Sequence, residues 1–299
     1  MKQRLSLALL LASLGVARLH AQIQPAADAA SQARQAATPE LELLQPLDEA
    51  TGRDLVLLQE HKAFFARLDQ RLSWTDNALF SPTRVSDVYY SGSLALGFET
   101  TTPRGIELIA EGVVNATRYN RNPAIDYNYY GGTVGIGWRK GGWRLAADYR
   151  PLQFTDRDFS NDLLFNHDYG VSLGYQAPIG RTAGWFLNTR LSRVDSSPTD
   201  YDAWRVAPYA GLYCQARPWL FTSVGVAASF TDYDHYFTLI TGQNRGDTLI
   251  SPFINVNLTP RPWLTVGTSM QYANNESSLA VSTYRGFTVT PFVQVRLRF

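Results

Sequence analysis

Hydrophobic and polar residues alternate along most of this chain. The alternation is clearest over residues 286–299. Counting back from Phe299, every second position holds Leu297, Val295 and Val293, and the positions between hold Arg298, Arg296 and Gln294. One face is apolar and the other is cationic, as expected of a strand whose two sides meet different surroundings. The same period recurs upstream. Val88, Tyr90, Leu94, Leu96 and Phe98 alternate with Tyr89, Ser91, Ser93 and Glu99, and Ile106, Leu108, Ala110 and Val114 with Glu107, Glu111 and Asn115. Trp143, Leu145, Ala147 and Tyr149 alternate with Arg144, Asp148 and Arg150. The pattern predicts twelve strands at about 71–80, 86–99, 105–117, 129–139, 142–153, 165–177, 183–194, 203–216, 219–230, 248–259, 262–273 and 286–299.

The connections alternate too. Residues 100–104, 140–141, 178–182, 217–218 and 260–261 are tight and mostly contain Gly or Pro. The others, 118–128, 154–164, 195–202, 231–247 and 274–285, are longer and polar, with 81–85 as a short exception. Short turns on one side and long loops on the other are expected of an outer-membrane barrel. Every backbone N–H and C=O in a bilayer needs a partner within the protein, so such a sheet must close. About eleven residues at ~3.3 Å each, tilted by ~40–45°, cross an apolar band of ~25 Å. The predicted fold class is all-β, a closed antiparallel transmembrane barrel with both chain ends on the periplasmic side.

Aromatic placement agrees. Trp138, Trp143, Trp185, Trp219 and Trp263 flank the short turns. The outward parity near the long loops carries Phe80, Tyr90, Tyr130, Tyr149, Tyr169, Trp204 and Tyr272. Amphipathic rings favour the bilayer interface, so two girdles are predicted. A soluble propeller is the rival, because Trp143, Trp185, Trp219 and Trp263 are spaced 42, 34 and 44 residues apart. Each interval holds two strands where a blade needs four.

The N-terminal part breaks the period. Met1-Lys2-Gln3-Arg4 is basic, residues 5–17 are apolar and Ala21 offers a cleavage site, so residues 1–21 are predicted to be a secretory signal peptide. Residues 22–53 are rich in Ala, Gln and Pro and predict a flexible periplasmic segment. Leu55, Leu58, Phe65 and Leu68 share one helical face, predicting a short helix over 54–68. The expected organisation is therefore 1–21 signal peptide, 22–69 periplasmic segment and 70–299 barrel.

Composition narrows the function classes. Of the 299 residues, 18% are charged and 13% aromatic, and mean hydropathy is −0.19, which fits neither a helical membrane protein nor a disordered chain. Loss of Lys2, Arg4 and Arg18 with the signal peptide leaves 24 basic against 26 acidic residues, no basis for expecting nucleic acid. The single Cys214, of outward parity, reads as a small apolar residue.

The segment Trp74-Thr75-Asp76-Asn77-Ala78-Leu79-Phe80-Ser81-Pro82, followed by Ser86-Asp87, resembles the opening of the type 2 β-barrel porin family. The strand layout over about 70–299 is similar as well. The resemblance implies a bacterial outer-membrane barrel and supplies no catalytic residues. The terminal Phe299 resembles the assembly signal read by the barrel-assembly machinery, so that machinery and outer-membrane lipids are expected partners.

The lumen carries the candidate chemistry. Inward parity selects Arg71, Glu99, Glu107, Glu111, Arg139, Arg144, Asp148, Arg150, Asp168, Arg190, Arg205, Arg296 and Arg298, eight arginines against five acids. The glutamates fall on strands two and three and most arginines on strands four to eight and twelve, so an acidic wall is expected to face a basic one. Inward Gly131, Thr133, Gly135, Gly137, Gly170, Ser172, Gly174, Ser223 and Gly225 predict an open sector. Two readings stand: a narrow channel passing small polar or anionic solutes, and a lumen plugged by its own ion pairs. A structural or secretion-linked barrel serving exported polysaccharide, engaging a periplasmic partner through residues 22–68, is the alternative.

An outer-membrane lipid-modifying enzyme, suggested by fold analogy only, is less supported. No G-x-S-x-G is present, and His167 with Ser172 is the one generic pairing. Asp232, Asp234 and His235 cluster in the 231–247 loop, where a solvated surface is expected over a bound cation; Tyr233, Tyr236, Phe237, Leu239 and Ile240 predict that the loop folds inward to constrict the pore, with strands extended beyond the membrane as the alternative. No cofactor or metal is expected.

Overall fold

The computed structural model describes residues 63–237 and 244–299. Twelve antiparallel strands form one closed barrel: β1 (Phe64–Thr75), β2 (Asp87–Thr101), β3 (Ile106–Tyr119), β4 (Tyr127–Lys140), β5 (Trp143–Asp156), β6 (Asp162–Ile179), β7 (Ala183–Ser197), β8 (Ala203–Arg217), β9 (Leu220–Phe237), β10 (Asn244–Arg261), β11 (Leu264–Ser277) and β12 (Tyr284–Arg298). Each strand pairs with its sequence neighbours, and β12 closes on β1.

Alternation makes this wall. Leu96, Val134, Ile136, Leu145, Leu187, Leu212, Val224 and Ile254 all stand exposed on the outside. A continuous apolar exterior of this kind is built for hydrocarbon, where closure leaves no unpaired strand edge. All seven tryptophans are exposed on that outer surface. Trp143 and Trp185 bracket Tyr175 with centroids 4.6 and 5.2 Å away, beside two of the short turns. Tyr90, Tyr130, Tyr169, Trp204 and Tyr272 stand exposed toward the loop ends. Phe80 departs from expectation: it lies in the loop after β1 at φ 47°, edge-on to Tyr284 at 5.4 Å, because β1 has already ended.

Three expectations need correcting. First, the barrel begins at Phe64, not at residue 70, and the described part of the expected 54–68 helix is strand. Closure explains this, because β12 needs partners for Arg298 through Phe292 and takes Phe65 through Arg71. The spacing of Leu68 and Leu72 satisfies period two as well as a helical turn. The signal peptide and the rest of the periplasmic segment lie outside the described residues. Second, most of 231–247 is strand: β9 runs to Phe237 and β10 starts at Asn244. Tyr233 is buried and no inward-folded loop is formed by residues 231–237. Leu239 and Ile240 lie outside the described residues. Third, Gly170 and Gly174, expected to face open space, are covered by neighbouring side chains. A Cβ on Gly170 would meet the Arg190 guanidinium at 2.2 Å, and one on Gly174 would meet the Asn188 amide at 2.8 Å.

Elsewhere the vacant space takes rings. Phe65, Phe186, Phe253 and Phe292 stand directly across from Gly97, Gly211, Gly225 and Gly267. A Cβ on any of these glycines would come within 2.6–2.8 Å of the opposing ring's Cζ. Each ring therefore lies flat along the wall over its glycine.

Among the described residues, a buried apolar cluster sits at the loop end of the interior. Ala78, Tyr119, Ile125, Tyr127, Phe154, Leu163, Leu164, Tyr201, Ala203 and Tyr233 form a buried cluster drawn from loops and strands between β1 and β9. Tyr127 and Tyr129 hold their rings 6.1 and 5.5 Å from Phe154. Beside it, Asp126 accepts the Tyr119 N–H at 2.7 Å, and burial raises its carboxyl above the usual carboxylate range.

Candidate functional site

The lumen wall is where charge concentrates. Register places all thirteen candidate residues on the interior face. The chain of in-register partners runs Arg71–Ser91, Gly97–Glu111, Glu107–Gly137, Arg139–Arg144, Asp148–Gly170, Arg150–Asp168, Ser172–Arg190, Ser192–Arg205 and Arg67–Arg296. Arg298 alone of the thirteen is exposed, at the rim where β12 ends.

The charges pair along the wall, which corrects the expectation of an acidic wall facing a basic one. An arginine side chain is long enough to cross an intervening strand. Glu107 on β3 takes Arg139 of β4 at 2.8 Å and Arg144 of β5 at 2.7 Å. Glu99 on β2 takes Arg296 from β12, across β1, and Arg298 at 3.7 Å. Arg190 on β7 reaches Asp168 of β6 at 2.9 Å and Asp148 of β5 at 2.6 Å, while Arg150 meets Asp148 at 2.7 Å. Arg71 lies 6.0 Å from the Phe292 ring centroid.

Residues before position 70 contribute a pair that sequence analysis missed. Arg67 bridges Asp69 and Glu111 at 3.0 Å each, and Asp69 also accepts the Gln294 amide at 2.6 Å. Extending the period-two pattern upstream from Leu72 would have exposed both. Arg245 and Asp247, fully buried at the loop end of β10, form a second missed pair at 2.6 Å, with Arg245 4.8 Å from the Tyr233 ring centroid. They fell within the segment expected to be loop.

The Asp-Asn stretch has a structural task. Asp76 accepts the Phe287 N–H at 2.6 Å, and buried Asn77 donates to the carbonyls of Arg285 at 2.9 Å and Ser81 at 2.8 Å. The loop after β1 is thereby latched to β12 at the closing seam. Asp87 accepts the backbone N–H groups of Arg121 and Asn122 and holds the loop after β3. At the opposite end of the seam the Phe299 N–H donates to the Phe64 carbonyl at 3.0 Å, with the two rings stacked at 6.4 Å.

Other candidates are separated. His167 faces outward and bonds the Tyr149 hydroxyl at 2.7 Å, whereas Ser172 faces the lumen, so no dyad forms. Asp234 is engaged by Arg193 at 2.5 Å. Among the described residues no cluster of three His, Cys, Asp or Glu side chains could hold a metal.

No family model and no curated relative matches the sequence. Solved structures do. An outer membrane channel from Pseudomonas putida F1 superposes with TM-score 0.54 at 13% identity, over 80% of this chain and 97% of that one, and shows that the two share a fold. The NanC porin aligns with TM-score 0.45 at 10% identity over 77% of this chain and 100% of its own. The KdgM porin in complex with oligogalacturonate aligns with TM-score 0.44 at 8% identity over 77% and 98%.

Proposed function

We propose that this chain is a bacterial outer-membrane channel for passive passage of small polar or anionic solutes, of the type 2 β-barrel porin kind. One observation carries the reading: a closed wall is apolar outside and lined inside with guanidinium, carboxylate and hydroxyl groups. That inversion gives a hydrated solute the contacts it loses on leaving water. Selectivity is assigned to the thirteen inward charged residues, in which arginine outnumbers acid. The five turn-side tryptophans anchor the barrel at the periplasmic interface. The reading is non-enzymatic, since His167 and Ser172 lie on opposite faces of the wall.

Purified protein in a planar lipid bilayer under a salt gradient tests it. Discrete conductance steps with anion preference are expected. A silent bilayer despite verified insertion, or strong cation preference, would refute it. The apolar cluster at the loop-end mouth favours a second reading, a barrel that is closed there and serves a structural or polysaccharide-export role with a periplasmic partner. Under that reading the bilayer stays silent and residues 22–62 capture the partner in a pull-down.

A further inference from the structure

Among the described residues, one lumen arginine stands apart from the ion pairs. Arg190, Arg150, Arg67, Arg139, Arg144 and Arg296 each meet a carboxylate. Arg205 does not. It is 6% exposed, its Nε–H is buried with no acceptor, and no ion pair reaches it among the described residues. A guanidinium cannot shed its proton, so this charge stays uncompensated by the chain.

Arg205 has company. The hydroxyls of Ser192, Ser229, Thr231 and Ser251 are also buried without a hydrogen-bond partner. Of the six such hydroxyls among the described residues, these four lie on β7, β9 and β10, and Thr155 and Tyr284 lie elsewhere. Ser192 on β7 and Thr231 on β9 stand directly opposite Arg205, one on each side. Ser229 follows on the same face of β9, and Ser251 faces the lumen from β10, opposite Ala227. With strands ~4.8 Å apart, Ser192 and Thr231 stand beside Arg205 on the two neighbouring strands, close enough for one bound group to span them. Next to this sector, Asp148 and Asp168 serve Arg150 and Arg190. Those two carboxylates are thus taken by two guanidiniums, and neither pairs with Arg205.

We propose that Arg205, Ser192 and Thr231, with Ser229 next along β9, form an oxyanion-binding station in the lumen, taking a carboxylate or phosphate group of a solute. The guanidinium fork matches either group in bidentate geometry, and hydroxyls complete the donor set. Orphaned donors of both kinds, on one face of three consecutive strands, are what an oxyanion would satisfy. The station deepens the channel reading and rests on it for the anion's route.

The test uses the full-length protein folded in lipid vesicles. Its thermal midpoint is followed against sodium acetate and sodium phosphate, with chloride at matched ionic strength as the reference, and conductance is measured in parallel. The expected result is a saturable rise with acetate, phosphate or both, the active salt naming the group. Arg205→Gln removes an uncompensated buried charge, so it folds, and it weakens the apparent affinity at least about tenfold, as loss of a charge-assisted pair should. Thr231→Val gives a second handle and weakens it roughly threefold. No saturable rise with either salt, or equal rises in wild type and both variants, overturns the station even if the barrel conducts. A saturable, Arg205-dependent rise in a barrel that never conducts supports the station and removes the channel reading.

Discussion

Replacing Arg190 with Met is the sharpest probe of the lumen network. The Arg190 side chain is 4% exposed and contacts Asp168, 2% exposed, and Asp148, 9% exposed. Breaking a buried pair by removing one partner costs about 3–5 kcal/mol, because a charge is left buried and uncompensated. Arg150 stays 2.7 Å from Asp148 and faces Asp168 across the β5–β6 ladder, so the loss should fall near the lower bound, at about 3 kcal/mol. That is more than a hundredfold in the folding equilibrium. Met keeps part of the side chain that lies over Gly170, which limits any cavity contribution. The assay is urea unfolding in lipid vesicles, followed by the outward tryptophans. Adding Asp168→Asn should return most of the lost stability, since the remaining charges, Arg150 and Asp148, still pair at 2.7 Å. A loss below about 1 kcal/mol, or no recovery in the double variant, refutes the argument that mutual neutralisation holds this sector.

Two further outcomes follow from the loop end. Asn77→Ala removes donors to the Arg285 and Ser81 carbonyls and should cost about 1–3 kcal/mol, with amide exchange rising over residues 76–86 and across the β1–β12 seam; unchanged exchange there would show that the latch is dispensable. Asp126 has a carboxyl raised by burial, so the folded state binds its proton more tightly than the unfolded chain does. Its contribution is therefore fully present below the unfolded value of ~3.9 and is lost as pH rises through the folded value. Asp126→Asn should gain stability relative to wild type between pH 4 and pH 7; a difference that is flat across that range contradicts the desolvation account.

Much of the wall was legible because a membrane barrel gives each strand two unlike solvents. The alternation of Leu297, Val295 and Val293 with Arg298, Arg296 and Gln294 needs no tertiary knowledge to assign faces. What parity cannot reveal is the partner. Arg296 meets Glu99, and Arg67 meets Glu111, because of the stagger between strands two apart, and that stagger is set only when the barrel closes. Closure also decided β1, where Phe64–Leu68 satisfied both periods and the unpaired edge of β12 selected the strand. The mouth cluster was invisible for another reason: Ala78, Ile125 and Tyr201 come from connections, where no period exists to mark them as inward. A legible hint was present in Tyr119, Tyr127 and Phe154, large rings on the lumen parity at strand ends.

The pairing of rings with glycines bears on how such a wall finds its alignment. Sliding one strand by two residues keeps every side chain on its proper face, so hydrophobicity alone cannot detect the error. The rings can. After such a slip Phe253 would meet Ala227 or Ser223 in place of Gly225, and Phe292 would meet Thr265 or Ser269 in place of Gly267. Each opposing residue then carries a Cβ where only a bare backbone admits the ring. The same check operates at Phe65 with Gly97 and at Phe186 with Gly211. Four hairpins, β1–β2, β7–β8, β9–β10 and β11–β12, thus carry their own index marks, and two of them flank the seam where the last strand must meet the first. A polypeptide inserted strand by strand can then reject the near-miss alignment locally, before the circle is complete.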